Sequence, residues 1–273
     1  MDSERLAQLA GLARHLRRTV LEMIAKAGSG HPGGSLSAAD LLTALYFYPI
    51  LRYDPQDPTW PDRDRFILSK GHAAPIVYAA LMEVGYLSYE ELPTLRRLSS
   101  RLQGHTDMTL TPGVEMSAGS LGQGLSFAIG VQLAARMDGK DSRSYVLLGD
   151  GECQEGQVWE AAMAAAHYRL DTLTAIIDRN GIQNDDFVER QMSLGALADK
   201  WRAFGWQVWE VDGHDMRQVV EALLAARTVI GRPTAVIAQT VKGKGVSFME
   251  NNPNYHGRAP TPEQMEGALA ELA

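Results

Sequence analysis

Five short, largely apolar runs recur along this sequence, and each is separated from the next by a stretch with helical spacing. The runs lie at 65–68, 144–148, 173–177, 206–211 and 234–238. A continuous apolar run, unlike an alternating one, marks a strand buried on both faces. Strands of that kind, joined by helices, form a parallel sheet covered on both sides. The spacing predicts helices at 4–27, 37–46, 73–84, 119–136, 159–168 and 216–228, with a short helical tail within 261–273. The expectation is one α/β domain over 1–273, a three-layer α/β/α fold with a mainly parallel sheet. Between the first two helices, the run Gly28-Ser29-Gly30-His31-Pro32-Gly33-Gly34 reads as a helix break. In such folds ligands bind beyond the carboxyl ends of the strands. The glycine- and histidine-bearing segments of this chain are expected at those ends.

Composition removes several functional classes. Lys and Arg total 26 against 33 Asp and Glu, a net charge of −7, with no basic run. Such a chain has no electrostatic footprint for nucleic acid or an anionic membrane, so an anionic ligand must be caught by local groups. The N-terminus is charged and lacks a long apolar segment, and no apolar run is long enough to cross a bilayer. The single cysteine, Cys153, cannot form an internal disulfide, which fits a reducing compartment. The cytoplasm is the expected location.

Two strand ends carry the first chemical signal. Gly149-Asp150-Gly151 closes the second apolar run, and Asp178-Arg179-Asn180-Gly181-Ile182 closes the third. A carboxylate, an amide carbonyl and a backbone carbonyl form an oxygen-only set suited to a hard divalent cation. Gly149 and Gly151 allow backbone to approach a phosphate closely. Either segment alone reads as an ordinary turn. Their pairing at successive strand ends resembles the diphosphate–metal motif of thiamine-diphosphate enzymes. That resemblance implies Asp150 and Asn180 as metal ligands through their side chains and Ile182 through its carbonyl, around Mg²⁺ with Ca²⁺ or Mn²⁺ as substitutes.

The seven histidines divide into two groups. His15 and His167 fall in helices, and His214 follows a strand; a structural role suits all three. His31, His72, His105 and His256 each lie in a glycine-flanked loop. Zinc binding suits them poorly, since they are scattered singly without cysteine support. Proton transfer to hydroxyl groups suits them better.

Six segments then occur in the order of the N-terminal domain of transketolases: Gly30-His31-Pro32-Gly33, Lys70-Gly71-His72-Ala73, Gln103-Gly104-His105, Gly119 to Gly124, Gly149 to Gly156, and His256-Gly257-Arg258-Ala259-Pro260. The resemblance runs from about residue 14 to 260. It implies the thiamine diphosphate-binding fold, thiamine diphosphate with a divalent metal, and transfer of a two-carbon ketol unit from a ketose phosphate to an aldose. By the same resemblance His31 and His256 relay protons to the acceptor carbonyl, while His72 and His105 contact cofactor and donor hydroxyls. Gly119 and Leu121 line the cofactor, and Lys242 lies near the diphosphate or the mouth of the site, although two lysines in one loop read equally well as solvated. Glu155 and Glu160 fall at a subunit interface. The pyrimidine-side domain that transketolases carry is absent from these 273 residues. The resemblance therefore implies a separate C-terminal, pyrimidine-binding partner chain, in an α₂β₂ heterotetramer. Ser120 stands where the family often has proline. Cys153, beside Asp150, has no adjacent histidine to activate it and reads as packing.

Competing expectations remain at this level. One is a component of another thiamine-diphosphate enzyme, such as 1-deoxyxylulose-5-phosphate synthase or a 2-oxo acid dehydrogenase, against which the histidine loops argue. Another is a non-catalytic, cofactor-binding subunit. The dinucleotide-binding alternative is disfavoured because no G-x-G-x-x-G turn follows the first strand. The ketose is left open among the pentose phosphate route and branched-sugar or sulfo-sugar pathways.

Overall fold

The computed structural model describes residues 2–273; of the domain expected over 1–273, only Met1 lies outside the described residues. Five parallel strands form the central sheet: β1 (Arg65–Leu68), β2 (Ser144–Gly149), β3 (Leu173–Arg179), β6 (Gln207–Asp212) and β7 (Thr234–Gln239). Between β3 and β6 a small antiparallel hairpin is inserted, β4 (Ile182–Gln183) with β5 (Asp186–Phe187). The sheet order is β1-β2-β3-β7-β6, so the last strand in sequence is wedged between β3 and β6.

Among the described residues, ten α-helices surround the sheet: α1 (Ser3–Ala27), α2 (Pro32–Ser37), α3 (Ala39–Phe47), α4 (Ala74–Val84), α5 (Gln123–Met137), α6 (Gly156–His167), α7 (Val188–Gln191), α8 (Leu197–Ala203), α9 (Met216–Ala226) and α10 (Pro262–Glu271). Strand side chains alternate between two apolar layers, as the period of two requires. Tyr145, Leu147, Ile176, Val236 and Ala238 face α1, α3, α4 and α9. Val146, Leu148, Ala175, Ile177 and Ile237 face α5, α6 and α8. Both layers are closed to water, which is why the strands read as unbroken apolar runs. Truncating one of these side chains, as in Leu148→Ala, would cost about 2–5 kcal/mol.

The break expected at 28–34 is confined to Gly28 through His31; Pro32-Gly33-Gly34 begins α2. Proline at the first helical position costs no hydrogen bond. The two glycines are there for close approach rather than for a turn. A Cβ on Gly33 would lie 2.9 Å from the Tyr255 carbonyl oxygen, and one on Gly34 would lie 3.1 Å from Nε2 of His72. The hairpin and the short helices α7 and α8 lie in a region where no element had been expected.

The register aligns the carboxyl ends of the strands. Leu68 pairs with Leu147, Gly149 with Asp178, and Asp178 with Ala238. The segments that follow β1, β2, β3 and β7 therefore emerge side by side at one edge of the sheet.

A cavity with histidines on one wall and oxygen donors on the other

At that edge lies a cavity of about 160 Å³. Its lining includes the expected residues His72, Leu121, Gly149, Asp150, Gly151, Glu155, Asn180, Ile182, Lys242 and His256, together with Lys70, Glu152, Gln154, Gln183 and Asn184, which had not been expected there. His31 and His105 complete the histidine wall. The His31 ring lies 5.6 Å from that of His72, 6.1 Å from His105 and 5.3 Å from His256, centroid to centroid. The rings of His72 and His256 are 5.2 Å apart. Gly119 supports this wall from below: a Cβ there would sit 3.6 Å from the His105 ring. Glu155 is exposed at the rim and Glu160 on the outer face of α6. A larger groove, about 550 Å³, runs between α1 and the chain after α3, but aliphatic and aromatic side chains such as Leu12, Phe47 and Tyr53 dominate it.

Burial sets the charge state of the histidine wall. It lowers His31 to about 4, helped by His105, Arg96 and Lys242, and His256 to about 3, helped by Lys242 and His31. His72 is pushed well below its ordinary value by burial and by Lys70. His105 is lowered by burial and by Arg96. All four imidazoles are thus neutral near pH 7, each with one nitrogen able to accept and one able to donate. Nδ1 of His31 is buried with no hydrogen-bond partner among the described residues.

The opposite wall is built from strand ends. Asp150 accepts from the backbone N–H of Gly151 at 2.8 Å and of Gly181 at 2.7 Å. Burial nevertheless raises its carboxyl to about 6, with Asp178 adding to the effect. A buried carboxylate held that high is stabilised by a cation. The Asn180 amide oxygen accepts from the Ile182 N–H at 3.2 Å. The Ile182 carbonyl accepts from Nζ of Lys242 at 2.7 Å. A carboxylate, an amide oxygen and a backbone carbonyl around one cavity fit a hard divalent metal.

Lys242 corrects the reading of a solvated lysine: it is 1% exposed. Its Nζ reaches Ile182 and, at 2.9 Å, Nδ1 of His256. Burial and the neighbouring Lys70 lower it to about 7. Cys153 is buried, with its thiol 3.4 Å from the Gly149 carbonyl and pushed well up by burial, as a packing role requires.

Three buried groups were missed by sequence reasoning. Lys70 and Asp178, both fully buried, form an ion pair beneath the cavity. Asp178 also accepts from Ser37 at 2.7 Å, Asn180 at 3.1 Å and Thr240. Burial alone would raise its carboxyl, but Lys70 and these donors hold it below the ordinary value. Glu152 accepts from the N–H of Gly122 at 2.8 Å and of Gly149 at 2.9 Å, and from the Ser69 hydroxyl, tying the glycine-rich loop to β2. All three lie inside the motifs named above. A charged residue abutting a continuous apolar strand was the available signal.

Residues 10–270 match the family described as "Transketolase, thiamine diphosphate binding domain". The 6-deoxy-6-sulfo-D-fructose transketolase subunit SqwG of Clostridium sp. (strain MSTE9) is 46% identical over 270 residues, covering 99% of this chain and 98% of the relative. An apulose-4-phosphate transketolase subunit from Phocaeicola vulgatus is 44% identical, covering 94% of this chain and 91% of the relative. Human transketolase is 42% identical over 97% of this chain, which spans only 42% of that protein. The crystal structure of transketolase from Campylobacter jejuni superposes with a TM-score of 0.93 at 34% identity, over all of this chain and 43% of the other.

Proposed function

This chain belongs to the transketolase family, and we propose that it works as the N-terminal, thiamine diphosphate-binding subunit of a two-chain transketolase. Its near full-length likeness to proteins named as transketolase subunits supports a separate partner; it spans about two fifths of single-chain human transketolase. The observation that carries the reading is the cavity itself. His72 and His256 line it with Asp150, Asn180, Ile182 and Lys242, and His31 packs against both of these rings and against His105.

In this reading Asp150, Asn180 and the Ile182 carbonyl would hold Mg²⁺, which would offset the diphosphate charge, while Gly149 and Gly151 would let the backbone come close. Lys242 supplies a further positive charge beside the phosphates. Thiamine diphosphate, when bound, would supply the carbon nucleophile that ketol transfer needs. The chain's own work is to orient and to move protons. His31 and His256, with rings 5.3 Å apart, accept or donate a proton at the acceptor carbonyl oxygen. His72 and His105 orient the cofactor and the donor hydroxyls. A neutral imidazole can take a proton from a sugar hydroxyl on its bare nitrogen, becoming an imidazolium, and returns to neutral when it gives that proton to the acceptor oxygen. Each such transfer is worth roughly 10²–10⁴-fold in rate.

The partner would cover the aminopyrimidine half of the cofactor and supply the sugar-phosphate grip, in an α₂β₂ assembly in the cytoplasm. A ketose bearing a terminal phosphate or sulfonate is the proposed donor class, by likeness to the two named relatives. The test is co-expression with the candidate partner, followed by size-exclusion chromatography and a ketol-transfer assay. Activity should require both chains. Full activity from this chain alone would refute the two-chain reading, and turnover of pyruvate in place of ketose phosphates would refute the transketolase assignment.

A further inference from the structure

The turn between β6 and α9, Asp212-Gly213-His214-Asp215, does not line the cavity, yet both nitrogens of its imidazole are committed. Nδ1 of His214 lies 2.7 Å from Oδ2 of Asp40, and Nε2 accepts the backbone N–H of Val241 at 2.8 Å. A ring nitrogen that accepts from an amide carries no proton. The proton of this imidazole therefore sits on Nδ1 and is donated to Asp40. Asp40 is itself buried and forms an ion pair with Arg17. Nε of Arg17 donates to the Leu36 carbonyl at 3.1 Å. Side chains from α1 and α3, a carbonyl of α2 and the turn after β6 thus converge on a single amide.

That amide opens the loop carrying Lys242. The loop is pinned by Thr240, whose N–H donates to the Arg179 carbonyl at 3.1 Å, and by Gly243, whose N–H donates to the Gly33 carbonyl at 3.0 Å. Val241 lies between these two anchors and is adjacent to Lys242. The turn presses on the loop without slack: a Cβ on Gly213 would lie 2.4 Å from Cγ2 of Thr240.

We propose that Asp40 and His214 are positioning residues for the active site: the carboxylate–imidazole pair, braced by Arg17, fixes the Val241 amide and so holds Lys242 against the Ile182 carbonyl and His256. The assignment rests on the reading of the cavity as a diphosphate site. Lysine carries its charge on a flexible four-carbon stem, so its ammonium reaches a fixed point reliably only from a fixed backbone. Releasing the Val241 amide weakens the hold on the diphosphate and loosens the contact of Lys242 with His256, while His31, His72 and His105, which Lys242 does not hydrogen-bond, keep their places. Cofactor affinity then suffers more than turnover does.

The test uses the full chain purified with its partner subunit, with His214→Leu and His214→Gln. A glutamine side-chain oxygen can take the place of Nε2 and accept from Val241, whereas leucine cannot. Thiamine diphosphate binding with Mg²⁺ is measured by calorimetry, and its KM and kcat by ketol transfer. His214→Leu should raise the dissociation constant about tenfold, the size of one well-placed hydrogen bond, with kcat at saturating cofactor falling far less. His214→Gln should recover most of the affinity. Independently, ¹⁵N-histidine NMR of the wild-type chain should show Nδ1 protonated and Nε2 bare. Wild-type affinity in the leucine variant, a glutamine variant no better than leucine, or a proton on Nε2 would each overturn the proposal. If the wild-type assembly binds no thiamine diphosphate, the reading of the cavity fails instead, and the NMR result still decides the hydrogen-bond assignment.

Discussion

Replacing Asp178 with asparagine probes the foundation of the site. Asp178 and Lys70 are both 0% exposed. Asparagine keeps the shape and one acceptor oxygen but removes the charge that balances the Lys70 ammonium. A buried charge left without its partner costs about 3–5 kcal/mol. For a chain of this size that lowers Tm by roughly 6–20 °C, at roughly 2–4 °C per kcal/mol. The same carboxylate orients Ser37, Asn180 and Thr240, so the variant should also lose metal-dependent cofactor binding. Equilibrium urea unfolding of the isolated chain, followed by circular dichroism, gives the stability. A second variant separates charge from shape. Lys70→Met combined with Asp178→Leu removes both ions and should recover part of the lost stability without recovering cofactor binding. Destabilisation of Asp178→Asn below about 1 kcal/mol would show that Lys70 is not dependent on this partner, given the 3–5 kcal/mol cost expected of a broken buried pair. A double variant no more stable than the single one would refute the charge argument.

Three further outcomes are expected. Asp150→Ala should weaken Mg²⁺-dependent thiamine diphosphate binding in the assembled enzyme by at least about a hundredfold, measured by calorimetry, since loss even of groups supporting a metal ligand costs roughly 10–100-fold. His31→Ala and His256→Ala should lower kcat by about 10²–10⁴-fold while changing cofactor affinity far less; equal losses in both would make them structural supports. His31 and His256, at about 4 and about 3, lie below the unfolded histidine value. The unfolded chain therefore binds more protons as pH falls from about 6.5 to about 4, and these two residues make stability fall across that window. Urea midpoints at pH 7 and pH 5 should show the loss, and it should shrink in a His31→Asn/His256→Asn double variant.

The order of the elements was legible because strands enclosed on both faces must be apolar throughout, and 144–148 and 173–177 have no other reading. The cavity lining was legible because its residues cluster in short glycine-flanked segments that the parallel topology brings to one edge. Three features were not. Lysine is usually solvated, so the burial of Lys70 and Lys242 follows from tertiary partners that lie far away in sequence. A Pro-Gly-Gly segment carries a poor helix propensity, and tertiary packing against Tyr255 and His72 overrides it in α2. The place of β7 inside the sheet is set by pairing with β3 and β6, and no local pattern in 234–239 distinguishes an inner strand from an edge.

That inserted strand shapes how the chain is born. During synthesis β6 leaves the ribosome well before β7, yet its sheet neighbour is β7. Until residues 234–239 emerge, β6 has no sheet neighbour to pair with, and β3 lacks its partner on that side. Exposed strand edges recruit wrong partners. The histidine and lysine of the final loop, His256 and Lys242, come later still. The lining of the cavity is therefore completed by a late-made part of the polypeptide, and a chain stalled short of it would lack both the inserted strand and these two side chains.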